Sequence, residues 1–212
     1  MKTVLYLHGF ASSGYGTKAE YFRGRFGDVP EVEFGALDFN PTPADFEYLT
    51  VTGMVNRLRQ YVLDREMGSL CFIASSLGAL VGLNYGHRFG GVDRMLLLAP
   101  ALSWSSLGLA EEDLRRWEDA GVAPVFHYAF EEELPLRYGF QMDGLRYRQT
   151  VPPSAPAMIV HGVDDDVVPI GNSRDYAAAF PDRVRLVEVD SGHRLNDRLG
   201  VIWEYVVSFL LG

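Results

Sequence analysis

Apolar residues along the chain follow two alternating rhythms. Six short runs are apolar almost throughout: Thr3–Leu7, Val32–Leu37, Leu70–Ala74, Arg94–Ala99, Ala157–Val160 and Val184–Val189. Their length and their β-branched and aromatic content predict strands buried on both faces. Between them the pattern predicts helices over Lys18–Phe26, Thr50–Glu66, Leu77–Phe89, Gly171–Phe180 and Leu199–Leu211. In the second of these, Val51, Met54, Val55, Leu58, Tyr61 and Val62 recur at helical spacing and form one apolar face. Thr42-Pro43-Ala44-Asp45 reads as a loop and cap leading into it. Strands separated by helices define an α/β chain. Right-handed crossovers then make it a doubly wound, mainly parallel six-stranded sheet with helices on both faces.

The alternation stops between Ala101 and Val151. An acidic helical piece, Leu109–Ala120, is followed by the aromatic stretch Val125–Phe130, which is expected to form a hairpin with Leu136–Met142. A proline-rich break at 152–156 ends the region. The chain of 212 residues suffices for one sizeable core and is short for two. Residues 1–212 are therefore read as a single domain, with 101–151 as a lid insertion within it.

Composition changes this picture little. A net charge of -9, with 48% hydrophobic and 22% charged residues, describes an ordinary folded domain and argues against nucleic acid or an anionic membrane as partner. The single cysteine, Cys71, falls inside a predicted strand, so it is expected to be a buried structural thiol and no internal disulfide is available. No run approaches the roughly 18 apolar residues of a membrane span. The apolar start is too short for a signal peptide. A cytoplasmic protein is expected, with monomer and dimer both open.

In a parallel sheet the working residues gather in the loops at the carboxyl ends of strands. His8-Gly9-Phe10, Ser76, Ala99-Pro100, His161–Asp166 and Ser191-Gly192-His193 each follow a predicted strand. Ala74-Ser75-Ser76-Leu77-Gly78 joins strand to helix and nearly matches the Gly-x-Ser-x-Gly nucleophile elbow. Helix and strand approach closely there, so the residues two before and two after the serine must be small. Ala74 and Gly78 satisfy this around Ser76, whereas a frame on Ser75 would require it of Ile73 and Leu77. Ser76 is the candidate nucleophile.

A serine hydroxyl needs a positioned base, itself oriented by an acid. In this fold class the expected chain order is serine, acid, histidine. Asp164, Asp165 and Asp166, and then His193, follow Ser76 in that order. A metal site built from His8, His161, His193 and the three aspartates is the rival chemistry. Three consecutive aspartates cannot all face one ion, and no metalloenzyme spacing is present, so neither metal nor cofactor is expected. Gly14 and Gly16 lack the Lys-Ser/Thr of a phosphate loop. His87 and His127 have no motif around them and are expected on the surface.

These motifs resemble those of the α/β-hydrolase superfamily, in its compact serine-esterase form. His8-Gly9-Phe10 matches the oxyanion loop, and Ala74–Gly78 the elbow, with alanine where glycine is usual. His161–Pro169 matches the acid loop and Gly192-His193 the histidine loop. The Gly-His-Arg-Leu ending and the small size are similar to YqiA-like esterases, and to short carboxylesterases and acyl-protein thioesterases of the abhydrolase-domain group. The resemblance implies Ser76 as nucleophile and His193 as base, and it selects Asp165 among the three aspartates. It implies an oxyanion hole from the backbone N–H groups of Phe10 and Leu77, each contributing roughly 3–4 kcal/mol in comparable sites.

His8 is expected to hold the oxyanion loop. His8, Gly9 and Trp104 also stand as candidate substrate contacts, and the aromatic residues of the insertion as the walls of an acyl pocket. The runs Glu111–Asp113 and Glu131–Glu133 are expected to be solvated and to disfavour anionic leaving groups nearby. The function so implied is cleavage of a small-molecule carboxylic ester or thioester. Its rivals are a peptidase, amidase or acyltransferase of the same fold, and a non-catalytic binding protein. The complete Ser-Asp-His set argues against the last.

Overall fold

The structure, a computed structural model, describes residues 2–212. Six strands form the main sheet: β1 (Lys2–Leu7), β2 (Val32–Leu37), β3 (Leu70–Ser75), β4 (Val92–Leu98), β7 (Ala157–Gly162) and β8 (Val184–Val189). Their order is β2-β1-β3-β4-β7-β8, with every neighbouring pair parallel. The remaining strands, β5 (Val122–His127) and β6 (Glu132–Arg137), make a separate antiparallel hairpin.

The continuous apolar runs arise because alternate side chains serve two different cores. On one face Val4, Tyr6, Cys71, Ile73, Leu96, Leu98, Met158 and Val160 meet α1 (Thr17–Phe26) and α8 (Leu199–Tyr205). On the other, Leu5, Leu7, Phe72, Ala74, Met95, Leu97 and Ile159 meet α3 (Val51–Asp64), α4 (Leu77–Phe89) and α7 (Ile170–Ala179). Cys71 is fully buried in the first core, as its place in the strand suggested. Among the described residues no helix is long and apolar enough to cross a membrane.

The crossover helices lie where the apolar periodicity placed them. Three local features differ from expectation. Thr42–Asp45 is not only a loop: Pro43–Glu47 forms a short helix, α2. Thr42 Oγ1 accepts from Asp45 N while an Asp45 carboxylate oxygen accepts from Thr42 N, a capping box that needs no apolar period. At the carboxyl end the α-helix stops at Tyr205 and continues as a π-helical segment, Val206–Leu211.

The third difference concerns the hairpin, which pairs Val122 with Arg137 and His127 with Glu132. The expected strand over Leu136–Met142 is therefore corrected: Gly139–Gly144 is a helix, α6. Tyr128–Glu131 is the turn rather than strand, with Glu131 at φ +58 and its N–H bonded to His127 O. Burial explains the register, because Leu134 and Leu136 point inward while Glu133, Pro135 and Arg137 point out.

The segment between β4 and β7 thus contains α5 (Glu111–Ala120), the hairpin and α6. Several contacts dock it onto the rest. Asp143 accepts from both Thr52 N and Thr52 Oγ1, at 2.7 and 2.6 Å, charge-assisted bonds of about 1.5–3 kcal/mol each. The Phe140 ring stacks on Phe10, and Tyr128 N donates to Ala11 O. His127, expected on the surface, is instead fully buried. Its Nε2 lies 2.9 Å from Asn40 Nδ2, and its ring packs between Phe46 and Phe130. The side chain that periodicity leaves unassigned is a clasp between hairpin and sheet.

Two predictions follow from this packing. Burial pushes the His127 imidazole down from 6.5 to about 4. A histidine with a depressed folded pKa stabilises the fold above its unfolded pKa and loses that contribution as pH falls. Between pH 6.5 and 4, urea-unfolding free energy should therefore fall more steeply for the wild type than for His127→Gln. Equal slopes for the two proteins would show that the clasp does not titrate. The second concerns Gly78, where a Cβ would lie 2.3 Å from Leu7 O and 2.6 Å from His8 O. Glycine to alanine in an open helix position stabilises by up to about 1 kcal/mol. Here Gly78→Ala should instead cost about 3 kcal/mol or more, because backbone must move; equilibrium denaturation reads the difference.

Candidate active site

Because all six strands run parallel, the loops after β1, β3, β4, β7 and β8 emerge on one edge of the sheet. The loop after β3 is the sharpest. Ser76 adopts φ 49 and ψ −119 between the last residue of β3 and the first of α4, a left-handed conformation that costs a non-glycine residue of order 1–3 kcal/mol. Backbone hydrogen bonds hold it there. Ser76 N donates to Leu98 O at 2.9 Å, and Ser76 O accepts from Ala79 N and Ala101 N. Gly9 faces this turn, and a Cβ on it would come within 3.2 Å of Ser76 Cβ. Two loops thus meet backbone to backbone around one hydroxyl.

The loop after β8 brings His193 to that hydroxyl. Its Nε2 lies 3.1 Å from Ser76 Oγ, and its Nδ1 lies 2.8 Å from Asp165 Oδ2. Asp165 offers only an acceptor, so Nδ1 carries the hydrogen and Nε2 is left to accept from the serine. Of the three consecutive aspartates, Asp165 alone has a fully buried carboxylate that reaches His193. Asp164 and Asp166 are exposed.

The Asp165 carboxylate has more partners than the one. Val167 N and Val168 N donate to Oδ1, while His161 Nε2 donates to Oδ2 at 3.0 Å. Burial on its own would raise the carboxyl, but the hydrogen bonds from His161, His193 and Val168 outweigh it and hold the group well below the usual carboxylate range. His161 is itself fixed from behind by Ser173 Oγ at 2.7 Å. The sequence motif His161–Pro169 contains His161 without assigning it this contact, and Ser173 belongs to no motif. The position of His161 four residues before Asp165 is the one available signal.

The other candidates divide. Gly9, Phe10, Leu77 and Trp104 line a cleft of about 1560 Å³ that also contains Ser76 and His193. Phe10 N–H belongs to the loop opposite the elbow. Leu77 N–H is in the first turn of α4, where backbone donors have no intrahelical partner and the helix dipole favours negative charge. The Trp104 ring stands edge-on to Phe140 and its Nε1 donates to Gln141 Oε1, so most of its surface serves packing.

His8, considered a substrate contact, does not reach the cleft. Its ring is fully buried, with Nε2 accepting from Phe39 N and Nδ1 bonded to Gly9 O. It ties the loop after β1 to the segment after β2 from beneath. Among the described residues no group of three or more His, Cys, Asp or Glu side chains is placed to hold a metal ion.

Solved structures share this architecture. The chain superposes on alpha/beta hydrolase domain-containing protein 10 from mouse at a TM-score of 0.76, with 19% identity over 98% of this chain and 89% of that one. Est1E from Butyrivibrio proteoclasticus, solved with ferulic acid bound, gives a TM-score of 0.81 at 16% identity, covering 100% and 88%. An esterase from Exiguobacterium antarcticum gives 0.68 at 17% identity, covering 100% and 92%. At such identities these matches establish the α/β-hydrolase fold. No curated protein matches the sequence. The model of the uncharacterised protein family UPF0227 matches residues 3–210, in agreement with the YqiA-like resemblance, and the chain belongs to that family within the α/β-hydrolase fold.

Proposed function

We propose that the protein is a serine hydrolase that cleaves carboxylic ester or thioester bonds through an acyl-enzyme intermediate. The observation that carries this reading is the hydrogen-bonded chain from Ser76 Oγ through His193 to a buried, ionised Asp165. Ser76 attacks the acyl carbonyl as His193 Nε2 takes its proton. Asp165 holds the imidazole in the reactive tautomer and stabilises the imidazolium that forms. The tetrahedral oxyanion is met by the N–H groups of Phe10 and Leu77. His193 then returns the proton to the departing alcohol or thiol. Water, activated by the same imidazole, releases the acid. No cofactor is needed.

Leu77, Trp104, Leu107, Trp117 and Val125 give the cleft an apolar lining that suits an acyl chain. The esterases among the structural matches are in keeping with such substrates.

A fluorophosphonate probe should label the wild type and Ser75→Ala but not Ser76→Ala; labelling of Ser76→Ala, or none of the folded wild type, would sink the assignment. Asp165→Asn should keep the fold, and its kcat on a butyrate ester should fall by about 10³–10⁴ through loss of the productive tautomer. A drop of less than tenfold would remove Asp165 from its role.

A further inference from the structure

The cleft also has basic lining. Lys18, in the first turn of α1, and Arg194, directly after His193, both line it. Arg194 lies over the Tyr128 ring at 4.9 Å, which holds its guanidinium at the cleft wall. Among the described residues, neither cation has an ion-pair partner. Most of the described basic residues likewise form no ion pair; these two are the unpaired ones that line the cleft containing Ser76 and His193.

Two of the carboxylates that line the cleft, Asp197 and Asp113, have other partners. Asp197 accepts from Ser191 Oγ and lies 3.5 Å from Arg198 Nε. Asp113 pairs with Arg116, and Asp166 is exposed on the acid loop. Glu111 and Glu112 pair with Arg115 and Arg116, and Glu131–Glu133 do not line the cleft. In addition, Gly16 caps α1 without any side-chain acceptor, and Gly16 and Thr17 line the same cleft. The unpaired N–H groups of that first turn therefore add to the positive field.

We propose that Lys18 and Arg194 form a subsite for an anionic group, carboxylate or phosphate, on the leaving-group side of the substrate. The side follows from the chemistry. The departing oxygen or sulfur must take its proton from His193 Nε2, so the leaving group lies against the histidine loop, and Arg194 is the next residue. Burial and the nearby Arg194 lower the Lys18 ammonium to about 8. The free enzyme thus holds two cations at mutual cost, and an arriving anion relieves it. The inference rests on the hydrolase reading above and narrows its substrates to amphiphiles with an apolar acyl part and an anionic alcohol or thiol part.

The test compares esters of one acyl chain. Para-carboxyphenyl butyrate and its neutral methyl ester differ in charge and by one methyl group, so the ratio is read as its change between wild type and variants; para-phosphonooxyphenyl butyrate separates phosphate from carboxylate, and a glutarate monoester places the anion on the acyl side. For the wild type, kcat/KM should favour an anionic leaving group over the methyl ester. That ratio should fall by about tenfold in Lys18→Met and in Arg194→Met, the size of one charge-assisted contact, and Lys18→Arg should retain it. A larger ratio for phosphate or for carboxylate names the preferred anion. A wild-type ratio near one, a ratio untouched by both variants, or an equal loss on the glutarate monoester would each overturn the subsite. If no ester is turned over and the fluorophosphonate leaves Ser76 unlabelled, the hydrolase reading itself fails; turnover with a flat ratio defeats the subsite alone.

Discussion

A carboxylate with no exposure to water organises the working edge of this protein. Burying an ionised Asp165 costs several kcal/mol even after relaxation, and the fold offsets that cost with donors drawn from different places. Val167 and Val168 contribute backbone N–H groups, His161 a ring N–H from the end of β7, and His193 a ring N–H from the loop after β8. Satisfying one charge therefore fixes the relative positions of two loops. The imidazole that reaches the serine is the last element to be placed, and its orientation follows from what lies behind it. His161 in turn depends on Ser173 in α7, so the order extends from the cleft into a helix of the opposite layer.

The same logic recurs under the loop after β1. His8 is as deeply buried as His161, and it too connects backbone segments that the sheet alone would leave independent, bridging Phe39 N and Gly9 O. His127 does so a third time, between the hairpin and Asn40. Three of the five histidines thus act as internal ties. Only His193 touches the serine.

This distribution marks where the sequence is legible. Strands and crossover helices could be read because burial on both faces leaves long apolar runs, and the elbow because small residues are compulsory on either side of Ser76. Asp164, Asp165 and Asp166 are indistinguishable by composition. What separates them is depth, which depends on how the loop folds over β7, and the family resemblance made the choice that residue types could not. The hairpin was misplaced because its aromatic residues masked the simpler alternation of Leu134 and Leu136. His127 looked like a surface residue because no periodic element surrounds it. Lys18 and Arg194 lie 176 positions apart in sequence and come to line one cleft as α1 and α8 pack on one face of the sheet, with Phe26 against Trp203. No local pattern announces a pair of that kind.

The conformation of Ser76 has one more consequence. Two of its three backbone restraints come from Leu98 and Ala101, at and beyond the end of β4, a strand that follows it in the chain. A chain with β3 and α4 formed but β4 undocked would contain the serine without the turn that aims it, and would relax the positive φ to an ordinary value. The geometry of Ser76 is therefore conditional on the docking of β4. It registers that the centre of the sheet has closed, and a partly folded molecule has no means of counterfeiting it.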